Sequence, residues 1–148
     1  MPTSKAMQWF RAGTIVLGVT AVLHLLGHLL GSMKQPVHPD EIRLMELGTQ
    51  HLIDFGGIQR TFMDLFNGFS LAITLLTAFL ALMLHFLYDP CSTTPGLLRK
   101  VTGICLLFSL ALFALSVLYL IWPPIFLFAI TSGVFLFSWL GSLGENPI

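Results

Sequence analysis

The longest uncharged stretch of the chain, residues 101–144, reads VTGICLLFSLALFALSVLYLIWPPIFLFAITSGVFLFSWLGSLG. Its 44 residues include no Asp, Glu, Lys or Arg. A bilayer core of about 30 Å is crossed by about 20 helical residues, so the stretch is long enough for two spans. Trp122-Pro123-Pro124 lies at its midpoint, where prolines end a helix and a tryptophan suits the membrane interface. We therefore predict a tight helical hairpin.

Two shorter uncharged runs precede it, over residues 12–33 and 65–88. Each has the length of one span. The sequence predicts an all-α, integral membrane four-helix bundle with up-down-up-down topology, forming one domain over residues 1–148. The expected spans are approximately 11–31, 62–88, 101–121 and 124–143, and residues 32–61 form a helical extracytoplasmic loop.

The composition agrees with a membrane location. Hydrophobic residues make up 55% of the chain and charged residues 9%, against roughly 25% charged in a typical globular protein. The net charge is zero, and no basic patch suggests nucleic acid as a partner. Cys91 and Cys105 are expected to be unpaired thiols, because one lies in a loop assigned to the cytoplasm and the other in an apolar segment.

Positive charge near the helix ends indicates the orientation. Four basic residues near helix ends have few acidic neighbours: Lys5, Arg11, Arg99 and Lys100. The other three basic residues share one loop with most of the acidic residues. The positive-inside rule then places both termini in the cytoplasm. A cleaved signal peptide is disfavoured, because the first apolar stretch exceeds about 7–15 residues and no A-x-A-like site follows it.

Each predicted span has a face of small and polar residues, the kind that brings helices together in lipid. In the first span the face is Gly13, Thr20, His24, Gly27, His28 and Gly31, opposite Ile15, Val19, Val22, Leu26 and Leu29. In the second it is Asp64, Asn67, Gly68, Thr74, Ala78, Ala81 and His85, opposite Phe62, Phe66, Phe69, Ile73, Leu80 and Leu84. The third has Thr102, Cys105, Ser109 and Ser116, and the fourth Thr131, Ser138 and Ser142.

The loop between the first two spans carries helix and turn signals. Pro39 followed by two acidic residues is typical of a helix start. Its apolar face would consist of Ile42, Met45, Leu52 and Ile53. Gly56-Gly57 then interrupts the chain, and Thr61 with Asp64 resembles a capping box.

His24 and His28 form the sharpest chemical signal. Their spacing of four residues places both imidazoles on one helix face, which suits a divalent metal. The candidate metal ligands are His24, His28, His51 and Asp64. The favoured alternative is that the two histidines form interhelical hydrogen bonds to Asp64 or Asn67. Haem within one chain is disfavoured, because His85 lies at the opposite end of its span.

A second hypothesis assigns ligand binding to the polar residues at the extracytoplasmic ends of the first two spans, which we call the polar corner. Its candidate residues are His24, His28, Arg60, Asp64 and Asn67. Arg60 could bind a lipid phosphate. For Asp64, the alternative role is a capping interaction with Thr61. No nucleophile elbow, carboxylate pair or phosphate loop occurs, so no catalytic residue is assigned and an enzyme is not favoured.

Residues 55–70 read FGGIQRTFMDLFNGFS. With His24 and Gly27, this stretch resembles a family of small four-helix bacterial inner-membrane proteins with the pattern G-x-x-R-x-x-x-D-x-x-x-G-F. The family has no assigned activity, so the resemblance implies fold and location without a mechanism.

Three functions remain. The favoured one is an accessory or assembly subunit of a larger membrane complex, with membrane lipids and either other subunits or further copies of the chain as partners. The first alternative is a protein or enzyme that binds a lipid or apolar ligand at the polar corner. The second is a metal-binding or redox protein.

Overall fold

In the computed structural model the residues described are 4–120 and 122–144, and nearly all of them are helical. The elements in chain order are α1 (Lys5–Met33), α2 (Pro39–Gln50), β1 (Leu52–Asp54), β2 (Gln59–Thr61), α3 (Phe62–Phe86), α4 (Tyr88–Thr93), α5 (Pro95–Tyr119) and α6 (Trp122–Leu143). Four of the helices, α1, α3, α5 and α6, are long and apolar enough to cross a membrane. The all-helical fold with four candidate spans is therefore confirmed.

Prolines position several helix starts. Pro95 occupies the first turn of α5, and Pro123 and Pro124 lie in the first turn of α6. A proline costs little there, because the first turn has no intrahelical acceptor for its missing N–H. α5 therefore starts earlier than expected, and α4 was not expected. The interruption predicted at residues 122–124 appears as the end of α5 at Tyr119 and the start of α6 at Trp122.

The chain divides into two compact units. Unit 1 comprises residues 1–20 and 78–148, and unit 2 comprises residues 21–77. The first part of α1 and the last part of α3 belong to unit 1 together with α4, α5 and α6. Unit 2 contains the rest of α1 and α3, together with α2 and the two strands. A single domain over residues 1–148 stays a prediction.

Unit 1 has a core in which large side chains lie against small ones. Phe10 and Phe135 are both fully buried. A Cβ on Gly13 would lie 2.7 Å from the Phe135 ring, and one on Gly141 would lie 3.1 Å from the Cβ of Ala6. Both contacts join α1 to α6, and the order of the paired residues shows that these helices run in opposite directions. Glycine thus lets one helix approach the other closely enough for dispersion contacts.

Most buried hydroxyls bond to their own helix. Thr20 donates to the carbonyl of Val16 at 2.8 Å, and Thr102 donates to that of Leu98 at the same distance. Thr74, Thr77, Ser116, Thr131 and Ser132 follow the same four-residue pattern. Such bonds satisfy a polar group without a neighbouring helix.

The predicted packing faces of three helices are largely correct. All the residues expected to face inward on α5 and α6 are buried. On α1, Gly13 and Thr20 are buried and His24 and His28 are half-buried, whereas Gly27 and Gly31 are exposed. The opposite side of α1, from Ile15 to Leu29, is exposed as expected.

The face predicted for α3 was partly wrong. Asn67, Thr74 and Ala81 point inward, but Asp64, Gly68, Ala78 and His85 are exposed. Leu84 was expected to face lipid and is only 2% exposed. Leu80, which was also expected to face lipid, is half-buried, as is Leu65. The other buried or half-buried residues of α3 recur every three or four positions: Met63, Asn67, Ser70, Thr74, Thr77, Ala81 and Leu84. The prediction placed the large apolar side chains of α3 on the lipid side, but leucine also packs inward where its neighbours are small.

Residues 34–61 of unit 2 form a helix followed by a β-hairpin. α2 begins at Pro39, the expected start, and buries no residue. Leu52 and Ile53 were expected on this helix but belong to β1, which pairs antiparallel with β2. The turn requires glycine at positive φ, 68° at Gly56 and 95° at Gly57. Asp54 supports it by accepting the Gly57 N–H at 2.7 Å.

Candidate functional site

The chain makes one histidine contact between α1 and α3 in unit 2. Nε2 of His24 lies 3.3 Å from Oγ of Ser70, within hydrogen-bond distance, and both residues are half-buried. An interhelical hydrogen bond of this histidine was predicted, but with the wrong partner: it is Ser70, not Asp64 or Asn67. Asp64 is excluded because it lies on the exposed side of α3, whereas Ser70 and Asn67 both lie on the inward side and differ by about one turn in their position along the helix.

His28 lies one turn further along α1 and is half-buried. Among the residues that the structure describes, its imidazole makes no hydrogen bond or ion pair. A polar ring on an apolar helix gains stability from a partner that can replace water. His28 is therefore the residue of the predicted pair that retains a free donor and acceptor.

Asp64 and Thr61 form a reciprocal capping box at the start of α3. The carboxylate oxygen Oδ2 of Asp64 accepts the Thr61 N–H at 3.0 Å, and the Thr61 hydroxyl accepts the Asp64 N–H at 3.1 Å. Both bonds satisfy amides that have no partner within the helix. The local role of Asp64 is thus to cap the N-terminus of α3.

Among the described residues, the remaining candidates form hydrogen bonds to residues near them in the sequence, or form no side-chain hydrogen bond. Arg60 donates from Nη1 to the carbonyl of Gln59 at 2.9 Å and is exposed. His51 ends α2 and donates its backbone N–H to the carbonyl of Leu47 at 3.1 Å. Asn67 is half-buried on the inward side of α3. In the described part of unit 2, no hydrogen bond or ion pair joins Arg60, Asp64 or Asn67 to His24 or His28.

The metal hypothesis gains no support from the geometry. Over residues 4–120 and 122–144, no group of three or more His, Cys, Asp or Glu side chains is arranged to hold a metal ion. His24 lies against a serine hydroxyl, which is a poor ligand for a divalent metal. His24, His28, His51 and Asp64 as a metal set stay a prediction, as does the expectation about haem.

The structure also shows a feature that the sequence reasoning did not single out. Gly27 and Gly31 are exposed, and a Cβ on either would meet no atom within 4 Å. They form a G-x-x-x-G pattern in an apolar helix, which lets a second transmembrane helix approach closely. The side chains beside them, Leu23 and Leu30, are exposed as well. The four-residue spacing of the glycines was the available signal.

Comparisons with known proteins give no relative: no protein-family model, curated protein or solved structure matches the chain. The resemblance to a four-helix inner-membrane family stays a prediction.

Proposed function

We propose that this chain is an accessory subunit of a larger membrane complex, and that it binds a transmembrane helix of a partner through the Gly27–Gly31 face of α1. The observation that carries the proposal is the open surface at these two glycines. On the same helix, Gly13 has the Phe135 ring against it, whereas Gly27 and Gly31 have no neighbour. The face of small residues on α1 therefore extends from Gly13, which is packed against Phe135, to Gly27 and Gly31, which are not packed.

His28 supports this proposal from the same side of α1. Its imidazole is half-buried and free among the described residues. A hydrogen bond to a partner helix would stabilise association by about 0.6–2 kcal/mol, the range measured between membrane helices. On α3, Gly68 is also exposed with open space around it. Small residues and one polar group together are typical of helix–helix interfaces in lipid.

The charge distribution supports a bacterial inner-membrane location with both termini in the cytoplasm. In the described part of unit 1, four residues are basic and only Asp89 is acidic. Unit 2 has three basic and five acidic residues. Basic residues near span ends favour the cytoplasmic side. Reporter fusions at either terminus that are active only outside the cytoplasm would contradict this orientation.

The alternative of a lipid or apolar ligand at the polar corner has less support. Arg60 and Asp64 use their side chains in local hydrogen bonds, and His24 bonds to Ser70. The metal or redox alternative has no observation in its favour. The up-down-up-down bundle is part of the proposal, since four spans with both termini on one side require alternating directions.

The test compares two double variants on opposite sides of α1. G27I/G31I fills the glycine surface, whereas V19I/V22I places the same residues on the opposite, exposed side. Complexes are extracted gently from the native membrane with tagged chain and analysed by native mass spectrometry. We expect the wild type and V19I/V22I to be detected in complex with a larger subunit, and G27I/G31I to be detected as a folded chain without it. Equal retention of both variants would overturn the proposed face. A homodimer without other subunits would replace the accessory role by self-association.

A further inference from the structure

A groove of 780 Å³ runs along α5 in unit 1. Its lining includes Gly96, Arg99, Lys100, Gly103, Ile104, Leu107 and Trp139. The first three of these lie at the start of α5, and Leu107 lies about 10 Å further along the helix axis than Lys100, at 1.5 Å per residue. The groove thus has a charged end and an apolar end.

The charged end has two adjacent cations. Arg99 and Lys100 are both exposed, and among the described residues neither forms an ion pair or a side-chain hydrogen bond. Among the residues that the structure describes, no acidic side chain lines the groove. The N-terminus of α5 adds partial positive charge, because its first amides have no partner within the helix.

The apolar end has the character of a span in contact with lipid. Ile104 and Leu107 line the groove and are 68% and 71% exposed. Between the two ends, Gly103 lets the Trp139 indole lie close to α5, since a Cβ there would be 3.3 Å from Nε1. Within the described residues the Trp139 N–H has no acceptor in the protein. A tryptophan with an available N–H is typical of the headgroup level of a membrane.

We propose that this groove binds one anionic phospholipid, with its phosphate on Arg99 and Lys100 and an acyl chain along Gly103 and Leu107. Charge complementarity favours an anionic over a zwitterionic lipid, because two cations face one phosphate and no described residue of the lining supplies a counter-charge. The apolar wall favours a lipid over free phosphate, because an acyl chain along Ile104 and Leu107 stays in apolar surroundings while the phosphate lies beside the two cations.

The test measures lipid retention on the purified full-length chain. The protein is reconstituted with equal parts of phosphatidylglycerol and phosphatidylcholine, and native mass spectrometry counts the lipids that stay bound. We expect the wild type to retain phosphatidylglycerol in preference. R99Q/K100Q should reduce this preference roughly thirtyfold, since each basic residue near an anionic surface contributes about 1 kcal/mol. The matched control K34Q/R43Q removes the same charge from unit 2 and should keep the preference.

A second variant fills the groove without changing its charge. A side chain on Gly96 would meet open space, and leucine suits a helix better than glycine, so G96L should fold. We expect G96L to lose phosphatidylglycerol although both cations remain. Equal lipid preference in the wild type and R99Q/K100Q, or equal losses in R99Q/K100Q and K34Q/R43Q, would overturn the proposal. Glycerophosphate or inorganic phosphate that displaces the lipid completely at low concentration would also overturn it, because the acyl chain would then contribute nothing.

Discussion

The hydroxyl of Ser138 donates a hydrogen bond of 2.9 Å to the backbone carbonyl of Ala6, joining the last third of α6 to the first turn of α1. Both residues are buried. This bond lies beside the close approach of Gly141 to Ala6, so the same short surface of α1 accepts a hydrogen bond and permits backbone contact. The close approach of the two helices brings the Ser138 hydroxyl within reach of the Ala6 carbonyl, and the hydrogen bond in turn holds the helices close together.

Replacing Ser138 by alanine is expected to destabilise unit 1 by about 0.6–2 kcal/mol, because the bond to Ala6 crosses between helices. S142A is the control, since Ser142 is also buried but donates to Trp139 of its own helix at 2.6 Å. The unfolding free energy of both variants is measured by titration with SDS in mixed micelles. A larger effect of S142A than of S138A would contradict the role of the interhelical bond.

Replacing Gly13 by alanine should destabilise the chain by roughly 1–3 kcal/mol, the usual cost of overpacking. The added Cβ would lie 2.7 Å from the Phe135 ring. G133A provides the comparison, since a Cβ on Gly133 in α6 has no neighbour within 4 Å. We expect G133A to leave stability unchanged or to raise it slightly through helix propensity. Equal stability of the two variants would show that the Phe135 contact is not tight.

Removing either partner of the capping box should loosen the start of α3. We expect T61A and D64A each to cost about 1 kcal/mol, and the double variant to cost less than the sum, because each single change already breaks the reciprocal pair. Hydrogen exchange at the amides of residues 61 and 64 reports the effect locally. D64E should restore protection, because glutamate is the usual partner in a capping box. Unchanged exchange in D64A would remove the assigned role of Asp64.

The His24–Ser70 contact predicts coupling between the two side chains. A double-mutant cycle of H24A and S70A should give a coupling energy of about 0.6–2 kcal/mol, as for other hydrogen bonds between membrane helices. H28A with S70A is the control and should show none, since His28 does not contact Ser70 in the structure. Unfolding in mixed micelles measures each variant. Coupling of His28 instead of His24 would mean a different pairing of α1 and α3.

The Cys91 thiol should react slowly with maleimide in the folded protein. Cys91 is 1% exposed, and burial raises the pKa of its thiol, so less of the reactive thiolate is present at any given pH. In a C105S background, the labelling rate is followed from neutral to alkaline pH, with the unfolded chain as reference. We expect the folded rate to rise at higher pH than the unfolded rate. A folded rate that equals the unfolded rate at neutral pH would contradict this burial.

The sequence predicts the spans and their inward faces well where the chemistry is unambiguous. Ser109, Ser116 and Ser138 are buried as expected, because hydroxyl-bearing residues in a span avoid lipid. Helix starts are predicted less accurately, since the uncharged runs begin only after Arg11 and Lys100, whereas α1 begins at Lys5 and α5 at Pro95. Helices continue through such residues, because long basic side chains reach the interface from within a span.

Partner choice could not be derived from the sequence. Ser70, Asn67 and Asp64 lie within two turns of α3, and the sequence does not decide which of them meets His24. The choice depends on the rotation of α3 and on its position along α1, which follow from contacts such as Ala81 against Gly18 that are not visible in either helix alone. The hairpin of β1 and β2 had a readable signal in Gly56-Gly57, but its strands are only three residues long.

The hydroxyls that bond within their own helices have a consequence for biogenesis. Each span that carries them, as α5 does with Thr102 and Ser116, can leave the translocon with its polar groups already satisfied. Insertion then does not have to wait for a neighbouring span to be synthesised. A chain cut between α3 and α5 and expressed as two polypeptides should therefore still insert both parts, leaving only assembly to depend on their meeting in the bilayer.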